Sequence, residues 1–275
     1  MYLEHFGLSE LPFGITPDTS YTVITRSHQE ALNTLLVAIG SGEGFIKITG
    51  EVGTGKTLLC RRLLQAMPEN AVSAYLPNPY LSPRTLLLAL AEELALSVSV
   101  DVDDYHLLKQ INHALLEHAA AERRVVLCID EAQAMPLETL ESLRLLSNLE
   151  TEKRKLMQII LLGQPELDTK LSEPSIRQLL QRIAFHYNLT GLDRQEVGKY
   201  LERRLRVAGY RGEGIFQPRT VRALHRASRG TPRLLNILAH KSLLAAYGEG
   251  LHVVKPVHVK RAAADTAGAS SPGWW

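Results

Sequence analysis

The shortages in this chain are informative, because each removes a class of protein. Only 2 of 275 residues are cysteine, Cys60 and Cys128, which rules out a disulfide-stapled scaffold. Both lie in segments expected to be buried and read as reduced structural thiols, which favours a cytosolic setting. No apolar run approaches the ~18 residues that a membrane-spanning helix needs. The first residues, Met1 to Phe6, carry Glu4 and His5 and lack an apolar stretch, so a signal peptide is not expected. A net charge of +2 provides no global field for nucleic acid or membrane. What remains is a chain with 45% apolar residues, enough for a substantial core.

Against that background one motif stands out. Gly50-Glu51-Val52-Gly53-Thr54-Gly55-Lys56-Thr57 spells G-x-x-x-x-G-K-T, preceded by an apolar strand and followed by a helical run. Glycines let backbone N–H groups close around phosphate oxygens, and the helix N-terminus adds its positive dipole end. Lys56 then suits the β- and γ-phosphates of a nucleoside triphosphate such as ATP, and Thr57 suits Mg²⁺. Strand candidates follow at Phe45–Thr49, Val72–Leu76, Val125–Ile129, Leu156–Leu162 and Phe185–Leu189. They alternate with helices near 57–67, 83–96, 104–121 and 137–150, after a first helix near 27–40. This pattern predicts an α/β fold with a parallel sheet covered by helices. Beyond 191 the strands stop, and helices near 193–208, 218–228 and 232–247 predict a small all-α domain. The expected domains are 1–190, 191–264 and a flexible tail at 265–275 ending in Trp274-Trp275.

Further candidates cluster at strand ends. Val125 to Ile129 runs into Asp130-Glu131, where Asp130 suits Mg²⁺ and Glu131 suits polarising the attacking water. Gln164, after the fourth strand, is placed to orient that water or to sense the γ-phosphate; the alternative is a cap for the helix starting near Pro165. Arg182, with Arg177 as second choice, is a candidate to reach a neighbouring subunit's nucleotide. Either can equally be an ordinary helix arginine. Arg233 follows Gly230-Thr231-Pro232, in which Gly230 ends one helix, Thr231 caps the next and Pro232 opens it. That placement fixes Arg233 in a first turn, suited to the γ-phosphate or to a surface ion pair.

These elements together resemble an AAA+ P-loop ATPase with an α-helical lid. The opening Tyr2-x-x-x-Phe6-Gly7-Leu8-x-x-x-Pro12-Phe13, then Pro17-Asp18 and His28-x-Glu30-Ala31-Leu32, resembles the family around the general secretion pathway ATPase A protein. Asp130-Glu131-Ala132-Gln133 and Leu162-Gly163-Gln164-Pro165-Glu166-Leu167 fit it as well. Members of type II secretion systems continue into a membrane helix and a periplasmic domain. This chain lacks both, which makes it more similar to the short MshM-type branch of MSHA (type IV) pilus biogenesis. The resemblance implies Mg-dependent ATP hydrolysis by a homo-oligomer, with a hexamer among the options. It also implies pilus or secretion proteins as partners, and a cytoplasmic site, peripheral at the inner membrane. A DNA-associated role is the rival reading, since Arg203 to Arg233 holds nine arginines against one acid, Glu213. A nucleotide-dependent scaffold with little turnover fits the same motifs.

Overall fold

Aliphatic runs with almost no polar interruption, such as Arg124–Ile129 (RVVLCI) and Met157–Gly163 (MQIILLG), form strands buried on both faces. The computed structural model describes residues 2–14, 21, 23–99, 101–151 and 154–270. Along the chain the elements are α1 (Tyr2–Phe6), α2 (Arg26–Ser41), β1 (Phe45–Gly50), α3 (Lys56–Ala66), β2 (Ala71–Leu76), α4 (Pro83–Glu93) and α5 (Asp104–Ala120). They continue with β3 (Arg124–Ile129), α6 (Leu137–Leu146), β4 (Met157–Gly163), α7 (Glu166–Leu171), α8 (Arg177–Leu180) and β5 (Ile183–Leu189). Last come α9 (Arg194–Val207), α10 (Pro218–Ser228), α11 (Pro232–Gly248) and α12 (Pro256–Ala264). Contacts divide the chain into an α/β unit, Glu30–Glu51 with Gly55–Leu189, and a helical unit, Met1–Gln29 with Val52–Thr54 and Thr190–Trp275.

In the α/β unit the five strands are parallel in the order β2-β3-β4-β1-β5. Period-two alternation sorts their side chains. Ile46, Ile48, Val126, Cys128, Ile160 and Leu162 share one core with Ala31 and Leu35 of α2 and Leu59, Cys60 and Leu63 of α3. Phe45, Val125, Leu127, Ile129, Ile159 and Leu161 share the other with Leu86, Ile111 and Leu140 of α4 to α6. Both cysteines are buried and free, as expected of structural thiols. Registers of Ile129 with Leu161 and Thr49 with Gly163 bring the carboxyl ends of β1, β3 and β4 level. That edge is where parallel sheets hold ligands.

Helix starts follow their caps. Ser82 Oγ accepts from the Thr85 amide at 3.2 Å with Pro83 at the first position of α4, and Asp103 accepts from His106 at 3.0 Å before α5. Ends differ more. Helix α4 stops short of residue 96 because Ala95 takes a left-handed φ of 56°. Helix α6 stops at Leu146 rather than 150, and the chain turns into an antiparallel bridge between Glu150 and Lys155. Helices α1 and α12 went unforeseen; α1 is 5 residues long, too short for a clear period.

The helical unit corrects the expected domains. Tyr2, Phe6, Leu8, Phe13 and Tyr21 share a core with Leu201, Leu205, Leu235, Leu238 and Val259, so the N-terminal segment belongs with the helices rather than with the sheet. Those apolar side chains find their partners on α9, α11 and α12, and the unit resumes at Thr190. The Ser9 amide donates to the Ala208 carbonyl at 2.8 Å. Buried Arg204 donates to the carbonyls of Pro12 (2.6 Å) and Gly14 (3.3 Å) and to the Tyr200 hydroxyl (2.9 Å). Its guanidinium also stacks over the Tyr21 ring. Residues 265–270 are tied down, against the expected flexible tail: Lys241 pairs with Asp265 at 2.8 Å and the Ser270 amide reaches the Ala227 carbonyl at 2.9 Å. Trp274 and Trp275, like Pro17-Asp18, lie outside the described residues.

Candidate nucleotide site

The loop after β1 needs backbone that most residues resist. Gly53 and Gly55 have φ of 80° and 97°, in the left-handed region open to glycine. Gly55 leads directly into α3, whose first residue is Lys56. Lys56 Nζ is buried and donates to the loop's own carbonyls, Gly50 at 2.7 Å and Glu51 at 3.2 Å. Burial pushes its pKa down; the carboxylates of Glu131, Asp130, Glu51 and Glu166 act in the opposite direction without cancelling the effect.

At the next residue, Thr57 Oγ1 donates to Asp130 Oδ2 at 2.6 Å. Asp130 is buried at the end of β3, and its other oxygen accepts from the Glu131 amide at 3.0 Å. Glu131 itself has a left-handed φ of 52°, uncommon for a residue with a side chain. Its Oε2 accepts from Gln133 Nε2 at 2.6 Å and Gln164 Nε2 at 3.1 Å. Burial raises the Glu131 pKa, but the bonds from Gln133 and Gln164 and the charge of Lys56 outweigh it, so the net direction is down.

Lys56, Thr57, Asp130, Glu131 and Gln164 therefore meet at one edge of the sheet. Gln164 bonds to Glu131, and no side chain caps α7. Arg182 is engaged elsewhere, donating to the Arg144 carbonyl at 3.1 Å and the Ser147 hydroxyl at 2.6 Å, where it caps the end of α6. Arg177 is exposed. In the helical unit, Gly230 has the expected left-handed φ of 73° and Pro232 opens α11, but Thr231 makes no side-chain cap. The amide of exposed Arg233 donates to the Gly53 carbonyl at 3.4 Å, and a Cβ on Gly53 would overlap the Arg233 Cβ. Gln133 went without a role in the sequence reading. Its signal was only its place two residues after Glu131; Lys170, which donates to the Gln133 and Met135 carbonyls at 2.6 and 2.7 Å, gave none.

The donor set fits Mg-nucleotide. Thr57 and Asp130 offer paired hard oxygens, the choice of a magnesium ion that keeps substrate phosphates and waters as its other ligands. Two glycines leave the loop without Cβ obstruction, and the hydrogen bonds of Lys56 go to carbonyls alone.

The AAA domain family matches residues 39–171. General secretion pathway protein A of Aeromonas hydrophila is 43% identical over all 275 residues, and this chain spans 50% of that relative's length. Among solved structures, the ORC2 protein of Aeropyrum pernix (ADPNP-ADP complexes) aligns over 95% of this chain and 72% of its own, with a TM-score of 0.65 at 18% identity. Cdc6p from Pyrobaculum aerophilum aligns over 91% and 71%, with a TM-score of 0.64 at 18% identity. The RuvB Holliday junction branch migration motor of Thermotoga maritima aligns over 92% and 72%, with a TM-score of 0.55 at 16% identity. At such identities the likeness is one of fold. The chain is a relative of General secretion pathway protein A, with an AAA domain built on the P-loop AAA+ fold.

Proposed function

We propose that the protein binds Mg-ATP and hydrolyses it, in support of a type II secretion or type IV pilus assembly machine at the inner membrane. The observation that carries the hydrolytic reading is the juxtaposition of Thr57–Asp130 with a Glu131 carboxylate held by two amides. In this reading Lys56 exchanges loop carbonyls for phosphate oxygens, and Thr57 and Asp130 hold the metal. Bound Mg²⁺ supplies charge neutralisation at the phosphates. Glu131 takes the proton of the attacking water, and Gln164 orients that water. Arg233 is the proposed γ-phosphate contact of the helical unit. The envelope role is supported by kinship with the secretion protein.

Phosphate release measured with and without Mg²⁺, for the parent and Asp130→Asn, tests the chemistry. Metal-independent or unchanged release would sink it. Envelope proteins retained on ATP-loaded Glu131→Gln test the partner, and retention equal to that on Lys56→Ala would count against one. A trans arginine would make turnover per subunit rise with concentration and is worth roughly 10³–10⁵ in rate. Arg182→Ala and Arg177→Ala, each mixed with Lys56→Ala, decide between the two arginines, since only the finger variant is rescued.

One observation favours the DNA-associated reading. Arg219, Arg222 and Arg226 are exposed at helical spacing on one face of α10, with no acid between Gly214 and Gly248. Duplex affinity falling steeply with salt would support it, and charge reversal at Arg219 and Arg222 would abolish it.

A further inference from the structure

We infer that Gln133 is a positioning residue for Glu131, an assignment that rests on the hydrolytic reading above. The Gln133 side chain is committed at both ends. Its Oε1 accepts from the Gln164 backbone amide at 3.0 Å, and its Nε2 donates to Glu131 Oε2 at 2.6 Å. The sense of this amide is settled by chemistry, because a backbone N–H can only donate, which turns Oε1 toward Gln164 and Nε2 toward the carboxylate.

Gln133 thus ties the end of β3 to the end of β4 through one side chain. It is braced in turn: Lys170 holds its carbonyl at 2.6 Å, and the three-residue 3-10 turn Ala132–Ala134 fixes its backbone. Gly163 lies against it, since a Cβ there would come within 3.2 Å of Gln133 Oε1. Gln133 and Gln164 both spend their donors on the same oxygen of Glu131. Among the described residues, Oε1 of Glu131 receives no hydrogen bond. The arrangement pins one carboxylate oxygen and leaves the other bare, which sets the orientation of a base rather than merely its location. Without Gln133, the residue in left-handed backbone would keep only the longer bond from Gln164, whose own amide would lose its acceptor. None of the hydrogen bonds of Gln133 involves Lys56, Thr57 or Asp130.

Two variants separate the roles. Gln133→Met keeps the length and volume and removes both hydrogen bonds; Gln133→Glu keeps an acceptor for the Gln164 amide and removes the donor. We expect kcat for ATP to fall about tenfold in each, the scale of a misoriented group, with KM within about twofold. Each substitution is then repeated in Glu131→Gln and read by single-turnover phosphate release. A residue acting through the Glu131 carboxylate produces no further loss there, whereas a structural residue produces the same loss again. Parent-level kcat in both variants, or the full tenfold loss repeated in Glu131→Gln, overturns the inference while leaving hydrolysis intact. Parent-level turnover in Glu131→Gln alone overturns the hydrolytic reading, and this inference with it.

Discussion

Among the described residues each unit buries one lysine or arginine, and the two are held very differently. In the α/β unit, Lys56 has two carbonyl acceptors for three donors, and burial pushes its pKa down. In the helical unit, Arg204 spends Nε, Nη1 and Nη2 on Pro12, Tyr200 and Gly14 and rests on two tyrosine rings. A guanidinium bonded through all three of its nitrogens to partners of its own unit and resting on two aromatic rings is architecture. A lysine held by the carbonyls of a glycine-bearing loop is a site, since phosphate oxygens can replace those carbonyls and add charge. Burial alone does not separate the two; what surrounds them does, two tyrosine rings for Arg204 and a glycine-bearing loop at the carboxyl edge of the sheet for Lys56.

The widest gap between the two cations should appear on removing each. Lys56→Ala should abolish ATP binding in calorimetry and leave no measurable turnover, because the loop loses the charge that balances the phosphates. Retained binding would place Lys56 beside Arg204 as a structural cation. Next in size, Glu131→Gln should keep ATP affinity and lower phosphate release by about 10²–10⁴, the range for a lost general base. Arg204→Met should lower unfolding stability by about 3 kcal/mol in urea titration, because the Pro12 and Gly14 carbonyls lose a buried charged donor. A shift below ~1 kcal/mol, the size of an ordinary hydrogen bond, would mean that Arg204 is dispensable.

The smallest effect concerns pH. Hydrogen bonds from His258 and Arg261 hold the Glu249 carboxyl below its ordinary value of 4.5. The Lys255 amide donates to His258 Nδ1 at 3.0 Å, which leaves the His258 proton on Nε2, facing Glu249 at 3.1 Å. A depressed carboxyl stabilises the fold above its unfolded pKa of ~4.3 and loses that contribution as pH falls through the folded value. Melting curves of the parent and Glu249→Gln should therefore differ slightly at pH 7 and converge toward pH 3. A constant gap would remove the carboxylate from the account.

Legibility followed the range of the contacts. The phosphate loop, Asp130 and Glu131 are contiguous motifs whose chemistry is written in neighbouring residues, and all five strands were visible as apolar runs. Gln164 was placed correctly because parallel strands level their carboxyl ends. The bonds of Arg182 to the Arg144 carbonyl and Ser147 were not legible, since they depend on where α6 stops, which periodicity left four residues too long. The home of the N-terminal segment was illegible for a similar reason. Nothing local to Tyr2 or Phe6 says that their partners lie on helices some two hundred residues later.

That last contact has a consequence in biosynthesis. Ser9 and Ala208 are bonded across 199 residues, with the whole α/β sequence strung between them. At ~5–20 residues per second on the ribosome, the N-terminal segment waits about 10–40 s for its partners. During that interval Tyr2, Phe6, Leu8 and Phe13 lack the core they will join, while the sheet behind them can already close. The α/β unit is thus made as an insert within a helical unit whose first piece is translated first and completed last. A nascent chain of this design presents a short aromatic peptide ahead of a folded domain, the kind of exposed segment that chaperones bind.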